Sequence, residues 1–225
     1  PADHLNNLGA VAMGMAHEIR NPLGGIRGSA QLLRQEIKDS SHQEYLDVVV
    51  SEVDRIDRMV KRMMDLTRPP NLRMASTNIH KALEDILMLE KDTLTRKKGR
   101  FEQIYDPSLP PIEADEDQLK QVFLNLIKNA IEASRKGGKI QIVTRVSSGY
   151  AIKAASSPIP QQNIVVEIID SGSGMDEPTQ KKLFTPFYTT KTKGSGLGLA
   201  ICLKIVEDHN GKIKITSEKG LGTTV

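Results

Sequence analysis

Ala16-His17-Glu18-Ile19-Arg20-Asn21-Pro22 lies inside a long apolar repeat, and its place in that repeat decides the first part of the fold. Apolar residues recur at Leu5, Leu8, Ala12, Met15, Ile19, Pro22, Ile26, Ala30, Leu33 and Ile37, in steps of three and four. Such spacing marks a helix that packs along its length on other helices. After a polar break at Lys38-Asp39-Ser40-Ser41 the spacing returns at Leu46, Val49, Val53, Ile56, Val60 and Met63. Pro69-Pro70 ends the run, because proline cannot continue a helix and restrains the residue before it. A helical hairpin is predicted. One hairpin buries little apolar surface by itself, and two together make a four-helix bundle, so a homodimer through this segment is expected.

His17 falls between the seam positions Met15 and Ile19, so it is expected to face away from the seam into water. Asn21 lies four residues on, on the same outward face, and Glu18 flanks the histidine. Pro22 removes one helix hydrogen bond just beyond, and a kink is expected there. A neutral imidazole is a good nucleophile. A neighbouring carboxylate can hold its tautomer and take a proton, and an amide one turn away can orient water or a phosphoryl oxygen. His4, His42, His80 and His209 lack such neighbours and read as solvated surface residues.

The composition narrows the classes. The chain has 225 residues, 38% hydrophobic and 26% charged, with a net charge of +3 and no Lys/Arg run, which argues against nucleic acid. One cysteine, Cys202, excludes an internal disulfide framework and fits a reducing cytosol. No apolar run approaches the roughly 18 residues of a membrane helix, and no signal peptide precedes the first helix. The chain opens on Pro1 and stops at Thr223-Thr224-Val225, so it reads as a fragment with its last strand cut short. A cytoplasmic location without membrane contact is expected for this fragment, the parent being soluble or membrane-anchored.

The Pro-Pro stretch divides the chain into residues 1–70, a linker at 71–76 and a second domain at 77–225. Thr77 to Lys98 reads as a helix turning Ile79, Leu83, Ile86, Leu87, Leu89 and Leu94 to a core, and Phe101 to Tyr105 as a strand. A helix follows from an N-cap at Asp115 to about Ser134, with Glu116 and Asp117 in its first turn. Lys139–Ser147 and Asn163–Asp170 read as strands joined by a hairpin loop over Ser148–Gln162. A helix from Leu197 to Asp208 and a strand from Lys212 to Ser217 complete the domain. Strands and helices do not alternate strictly, so a mixed sheet with helices on one face, an α/β two-layer sandwich, is expected.

Four motifs in this domain carry chemistry. Asn125-Leu126-Ile127-Lys128-Asn129-Ala130-Ile131-Glu132 puts two amides on one helix face, where an amide oxygen suits Mg²⁺ that keeps waters and substrate phosphates as its other ligands. Asp170-Ser171-Gly172-Ser173-Gly174-Met175 places a carboxylate at a strand end before a glycine turn, where it can accept from a donor such as an adenine amino group. Phe184-Thr185-Pro186-Phe187-Tyr188-Thr189-Thr190-Lys191 reads as a satellite core under a loop, with Lys191 and Lys193 just ahead of the glycines. Gly194-Ser195-Gly196-Leu197-Gly198-Leu199-Ala200-Ile201 opens a helix whose free N–H groups attract phosphate. Its spacing differs from the dinucleotide fingerprint.

His17-Glu18-Ile19-Arg20-Asn21-Pro22-Leu23 resembles the H-box of sensor histidine kinases, and the four later motifs are similar, in order and spacing, to the N, G1, F and G2 boxes of their catalytic domain. That domain shares the ATP-binding (Bergerat) fold of gyrase, Hsp90 and MutL. Gly220-Leu221-Gly222-Thr223 resembles the start of the last glycine box. The resemblance implies that His17 is autophosphorylated, that Glu18 assists, and that Asn21 positions water in a reverse, phosphatase reaction. It implies that Asn129 binds Mg²⁺ with help from Asn125, that Asp170 reads adenine, and that Gly172 and Gly174 shape the pocket. Residues 175–195 would form an ATP lid. Lys191, Gly194, Gly196, Leu197 and Gly198 would lie along the phosphates. The Gly-Met-Ala-His-Glu-Ile-Arg-Asn-Pro-Leu opening looks most like NtrB-type kinases, whose partners are regulators with a σ54-activating domain.

One position separates the relatives. ATP-hydrolysing members of the superfamily carry a glutamate, the base that activates water, four residues before the magnesium asparagine, and here Asn125 stands there. The expected activity is therefore ATP:protein-histidine phosphotransfer, with the phosphoryl passed on to an aspartate of a response-regulator receiver domain, an NtrC-like regulator being the partner the resemblance suggests. Two alternatives are an ATPase or protein-serine kinase of the same fold, and a non-catalytic dimeric scaffold that binds a receiver.

Overall fold

The computed structural model describes residues 2–67, 71–150, 160–191 and 194–225, with side chains from Glu18 onward apart from residues 67, 148–150 and 160–162. The described chain falls into two compact units, residues 1–70 with 189–197, and residues 71–188 with 198–225.

The first unit is built on two helices, α1 (Ala2–Glu36) and α2 (Ser40–Thr67). Asp39 sets their turn: its Oδ1 accepts from the Ser41 N–H at 2.9 Å and from the Ser41 hydroxyl at 2.6 Å. Gln43 Nε2 donates to the Ile37 carbonyl at 2.7 Å, satisfying an end of α1. The hairpin is antiparallel, as three ion pairs record: Arg20–Asp57 at 2.9 Å, Arg27–Asp54 at 3.4 Å and Arg34–Asp47 at 2.8 Å. The three arginines are spaced by sevens along α1. Partly exposed pairs of this kind contribute at most about 1 kcal/mol each, but together they select one register.

The apolar contact inside the hairpin is made by Leu23, Ala30, Val53, Val60 and Met64, with Ile19 packed on Val60 and Met64. Two expected seam positions therefore move by one residue, from Pro22 to Leu23 and from Met63 to Met64. A helix of 3.6 residues per turn drifts against a seven-residue repeat, so the buried line migrates over several turns. Helix α1 runs through Pro22 without interruption. Ile26, Leu33, Val49 and Ile56 belong to the same apolar repeat yet are 37–49% exposed.

The second unit has a five-stranded mixed sheet of β2 (Arg100–Ile104), β4 (Lys139–Tyr150), β5 (Pro160–Asp170), β6 (Thr216–Glu218) and β7 (Gly222–Thr224). The order is β2-β4-β5-β7-β6, with β2 and β4 parallel and the other pairs antiparallel. A separate antiparallel pair joins β1 (Ala75–Thr77) to β3 (Ile112–Ala114). Ile140, Ile142, Thr144, Ile168 and Asp170 are buried while their neighbours in sequence are less so, the period-two mark of a sheet covered on one face.

The covering helices are α3 (Ile79–Arg96), α4 (Glu116–Ala133) and α6 (Gly198–Asp208), with a short α5 (Glu177–Lys182) between β5 and α6. Helix α4 packs on α3, α6 and β5. Asp115 caps α4 as expected, its Oδ1 accepting from Gln118 N–H at 3.1 Å. The sandwich forecast from the sequence is thus present.

Several local expectations are corrected. Leu89 is 63% exposed, on the outer face of α3, because Leu87 and Glu90 take the inward positions. The strand expected at Lys212–Ser217 shrinks to Thr216–Glu218, since only that stretch pairs with β7. Strands β4 and β5 extend into the expected hairpin loop, and residues 151–159 lie outside the described ones. His80 stacks on Tyr105 at a 4.5 Å ring separation and holds Thr144 Oγ1 at 2.9 Å. Burial of that tyrosine pushes its hydroxyl up to about 12. His209 Nε2 accepts from the Asp115 N–H at 3.0 Å, and its Nδ1 lies 2.7 Å from the Ile205 carbonyl. Both histidines are structural tethers and not solvated surface residues. No helix among the described residues is long and apolar enough to cross a membrane.

Candidate functional site

Helix α4 carries the two amides. Asn125 and Asn129 sit one turn apart on its half-buried face, while Leu126, Ile127, Ala130 and Ile131 go into the core. At Asn125 the helix meets the N-terminus of α6: a Cβ added to Gly198 would stand 4.0 Å from Asn125 Oδ1. One further turn past Asn129, the last residues of α4 meet the turn after β5, where a Cβ on Gly172 would press on the Ala133 carbonyl. Eight helical residues separate these contacts, a rise of about 12 Å.

At that second end stands Asp170, buried to 7% exposure. Its Oδ1 accepts from the Gly172 N–H at 2.8 Å, and the Thr223 N–H also supports it. Burial nonetheless dominates and holds the carboxyl above the usual aspartate range. An anion kept in a dry place with so few donors is a strong acceptor for an incoming N–H.

The turn after Asp170 is clamped by the β6–β7 hairpin. Met175 N–H donates to Ser217 Oγ at 2.9 Å, Gly220 N–H donates to the Ser173 carbonyl at 2.7 Å, and Gln180 Nε2 reaches both the Met175 and Ser217 carbonyls. Gly174 has φ +61° and Gly222 φ +118°, and a Cβ on either would run into backbone, at Glu218 and Asp170 respectively. Gly174→Ala is therefore expected to lower the thermal midpoint of the second unit and weaken nucleotide binding together. Backbone strain of this kind costs about 1–3 kcal/mol before the clash is counted. Thermal unfolding alongside a nucleotide titration checks it, and an unchanged midpoint would contradict the assignment. Ser217 and Gly222 were not among the expected site residues; the second glycine of Gly220-Leu221-Gly222 was their one signal in the sequence.

The remaining expected residues lie in the first unit. Lys191 is exposed and its N–H donates to Thr189 Oγ1 at 3.1 Å; Gly194 N–H donates to the Lys191 carbonyl at 3.3 Å. Gly196 has φ +68°, and Leu197 is fully buried with its N–H 3.4 Å from Ser195 Oγ. Lys193 lies outside the described residues. Phe187 is 53% exposed and so does not join the expected satellite core. His17 lies within α1, its side chain outside the described ones, while the adjacent Glu18, and Asn21 one turn on, are exposed.

Comparison with known proteins is decisive at this point. Residues 7–72 match the His Kinase A (phospho-acceptor) domain, and residues 114–225 match the histidine kinase-, DNA gyrase B-, and HSP90-like ATPase family. The chain belongs to the sensor histidine kinases. It is 40% identical to the signal transduction histidine-protein kinase AtoS of Escherichia coli over 99% of its own length and 35% of that protein's. It is also 40% identical to the sensory histidine kinase/phosphatase NtrB of Rhizobium leguminosarum, over 95% of this chain and 56% of NtrB. The chain thus spans about a third to a half of these relatives. Among solved structures, full-length ShkA in complex with AMPPNP aligns with TM-score 0.75 at 23% identity, covering 96% of this chain and 44% of that one, a likeness of fold. Histidine kinase ThkA in complex with response regulator protein TrrA aligns with TM-score 0.66 at 28% identity, covering 99% of this chain and 61% of ThkA. The histidine kinase family resemblance read from the H-box and the glycine motifs therefore holds, and so does the NtrB-like character.

Proposed function

We propose that the chain is the core of a protein-histidine kinase that moves the γ-phosphoryl of Mg·ATP to His17 and from there to an aspartate of a response-regulator receiver. The observation that supports this best lies along α4. A buried carboxylate stands at one end, a helix N-terminus at the other, and two amides lie between, over a distance suited to an extended nucleoside triphosphate. In this reading Asp170 accepts from the adenine amino group. The N–H groups of Gly198 and its neighbours at the start of α6 face phosphate oxygens. In this reading Lys191 and Gly194 belong to the end of the lid, and Gly196 and Leu197, just after it, meet phosphate.

The amide oxygens of Asn129 and Asn125 are hard, uncharged donors, the set Mg²⁺ uses when phosphates and waters supply its other ligands. Bound there, the ion would neutralise charge on the triphosphate. His17 attacks the γ-phosphorus through a ring nitrogen. The bond to the bridging oxygen breaks, ADP leaves with its electron pair, and Glu18 takes the proton released by the imidazole. The chain contributes placement and charge stabilisation, as phosphoryl transfer requires. Asn125, standing where the hydrolysing relatives keep a glutamate, leaves water without a base. The exposed stripe of Ile26, Leu33, Val49 and Ile56 is covered by a second copy in a homodimer. Asn21 serves the reverse, phosphatase direction, the partner is an NtrC-like regulator, and the fragment works in the cytoplasm.

The test is incubation with γ-labelled ATP and Mg²⁺. The parent is expected to gain acid-labile, alkali-stable label, and Asn129→Asp to lose at least about 100-fold of it, at the upper end of what disturbing a metal site costs. Acid-stable label, or fast phosphate release without label, would favour a serine kinase or an ATPase instead.

A further inference from the structure

Helices α4 and α6 pack side by side and run in opposite directions. Asp115, just before α4, meets His209, just after α6; farther along, Val122 meets Cys202, and Asn125 faces Gly198. The proposed phosphate end lies at Asn125 and Gly198. The other end of the pair is about 15 Å away, the rise of ten helical residues.

Three bonds converge on Asp115 at that far end. Its N–H donates to His209 Nε2 at 3.0 Å. Its Oδ1 accepts from the Gln118 N–H and so caps α4. Its Oδ2 accepts from the Arg73 N–H at 2.9 Å, where the chain enters the second unit. The partners of the His209 ring fix its tautomer. A carbonyl only accepts, so Nδ1 carries the proton toward the Ile205 carbonyl, and Nε2 is the acceptor. Both ring nitrogens are thus engaged, one on the last turn of α6 and one on the residue that caps α4. Just beyond, Asn210 takes φ +57° and the Gly211 N–H donates to the Val206 carbonyl at 2.8 Å, which closes α6 and fixes where the ring stands.

We infer that His209 is a positioning residue for the nucleotide site. It pins the far ends of α4 and α6, so it sets how Asn125 stands to the N-terminus of α6, and it links that setting to the Arg73 clip. Two stiff helices joined at one end change their separation at the other by turning about the joint. A triphosphate held between Asn125 and Gly198 fixes the separation, steadies the joint and thereby steadies Asp115 against Arg73. Such coupling is reciprocal: a firmer clip at Arg73 favours the nucleotide by the factor with which the nucleotide firms the clip. The role rests on the proposed Mg·ATP site.

The experiment follows hydrogen exchange in the peptide spanning residues 71–77 of the 225-residue chain, with and without a non-hydrolysable ATP analogue and Mg²⁺, beside a titration of the same analogue. Parent, His209→Gln and His209→Leu are compared. In the parent the nucleotide is expected to slow exchange at least about fivefold, the low end of coupling between two sites. Leucine fills the space of the ring but neither donates nor accepts. It is expected to weaken nucleotide binding about tenfold, the scale of one hydrogen bond, and to leave less than about a twofold slowing. Glutamine keeps an acceptor for the Asp115 N–H and should restore most of both. A packing role predicts the reverse, with leucine tolerated and glutamine harmful, and that pattern would overturn the inference. Exchange in the parent that nucleotide does not slow would overturn it as well, whether or not the variants fold. A parent that binds no nucleotide sinks the proposed site and this role together. A parent that binds it without slowing exchange at residues 71–77 sinks the role alone.

Discussion

His17→Gln is expected to bind Mg·ATP as the parent does and to take up no phosphoryl group. Glutamine suits a helix interior, so α1 should persist. Its amide is no nucleophile, and no other residue of Ala16–Pro22 offers a basic nitrogen that can attack. The second unit has its own core around Leu83, Ile127, Ile140 and Ile142, so nucleotide binding does not depend on the replaced side chain. The expected loss of acid-labile label is at least about a thousandfold, in keeping with removal of a nucleophile from other group-transfer sites. Label counted on the separated protein, beside a nucleotide titration, reads both halves. Label that survives in His17→Gln would move the acceptor elsewhere.

Asp170→Asn is expected to separate stability from binding. The folded carboxyl has a raised pKa because it is buried. Between its unfolded value and that raised value the folded chain holds more protons than the unfolded one, so stability falls as pH rises through that window. Above the window the full penalty of a buried charge remains. Asparagine keeps an oxygen for the Gly172 N–H and carries no charge. The variant should therefore melt higher than the parent at pH 7, and the gap should narrow as pH falls toward 4. Its nucleotide affinity should drop by about 10–100-fold, since a hydrogen bond to a charged acceptor contributes about 1.5–3 kcal/mol. Melting curves at the two pH values and a nucleotide titration at pH 7 measure this. A variant that binds ATP like the parent would remove Asp170 from the adenine site.

Much of the molecule was legible because it is written in short-range pattern. Seam spacing announced the hairpin, Asp115 with two following acids announced α4, and the spacing of Asn125, Asn129, Asp170 and Gly198 marked out the residues of the candidate site. What escaped depends on partners remote in sequence. Ser217 holds the Asp170 turn from 42 residues past Met175. His80 and His209 look like surface residues until Thr144 and Asp115 fold back onto them. Strands β1 and β3 are three residues each and exist only as each other's partner, so neither has a pattern of its own. Leu89 satisfies the hydrophobic rule but not the geometry, for α3 had already filled its inward face.

The Arg–Asp rungs between α1 and α2 have a consequence for how this chain can change over generations. Every rung closes within a single polypeptide: Arg20 with Asp57, Arg27 with Asp54, Arg34 with Asp47. A lineage can exchange the signs of one rung, acid for base on both helices, in one gene and without any answering change in another molecule. The apolar stripe left outside the rungs has no such freedom if the proposed second copy covers it, because that copy must match it. Drift should therefore collect in the charges and stall at Ile26, Leu33, Val49 and Ile56.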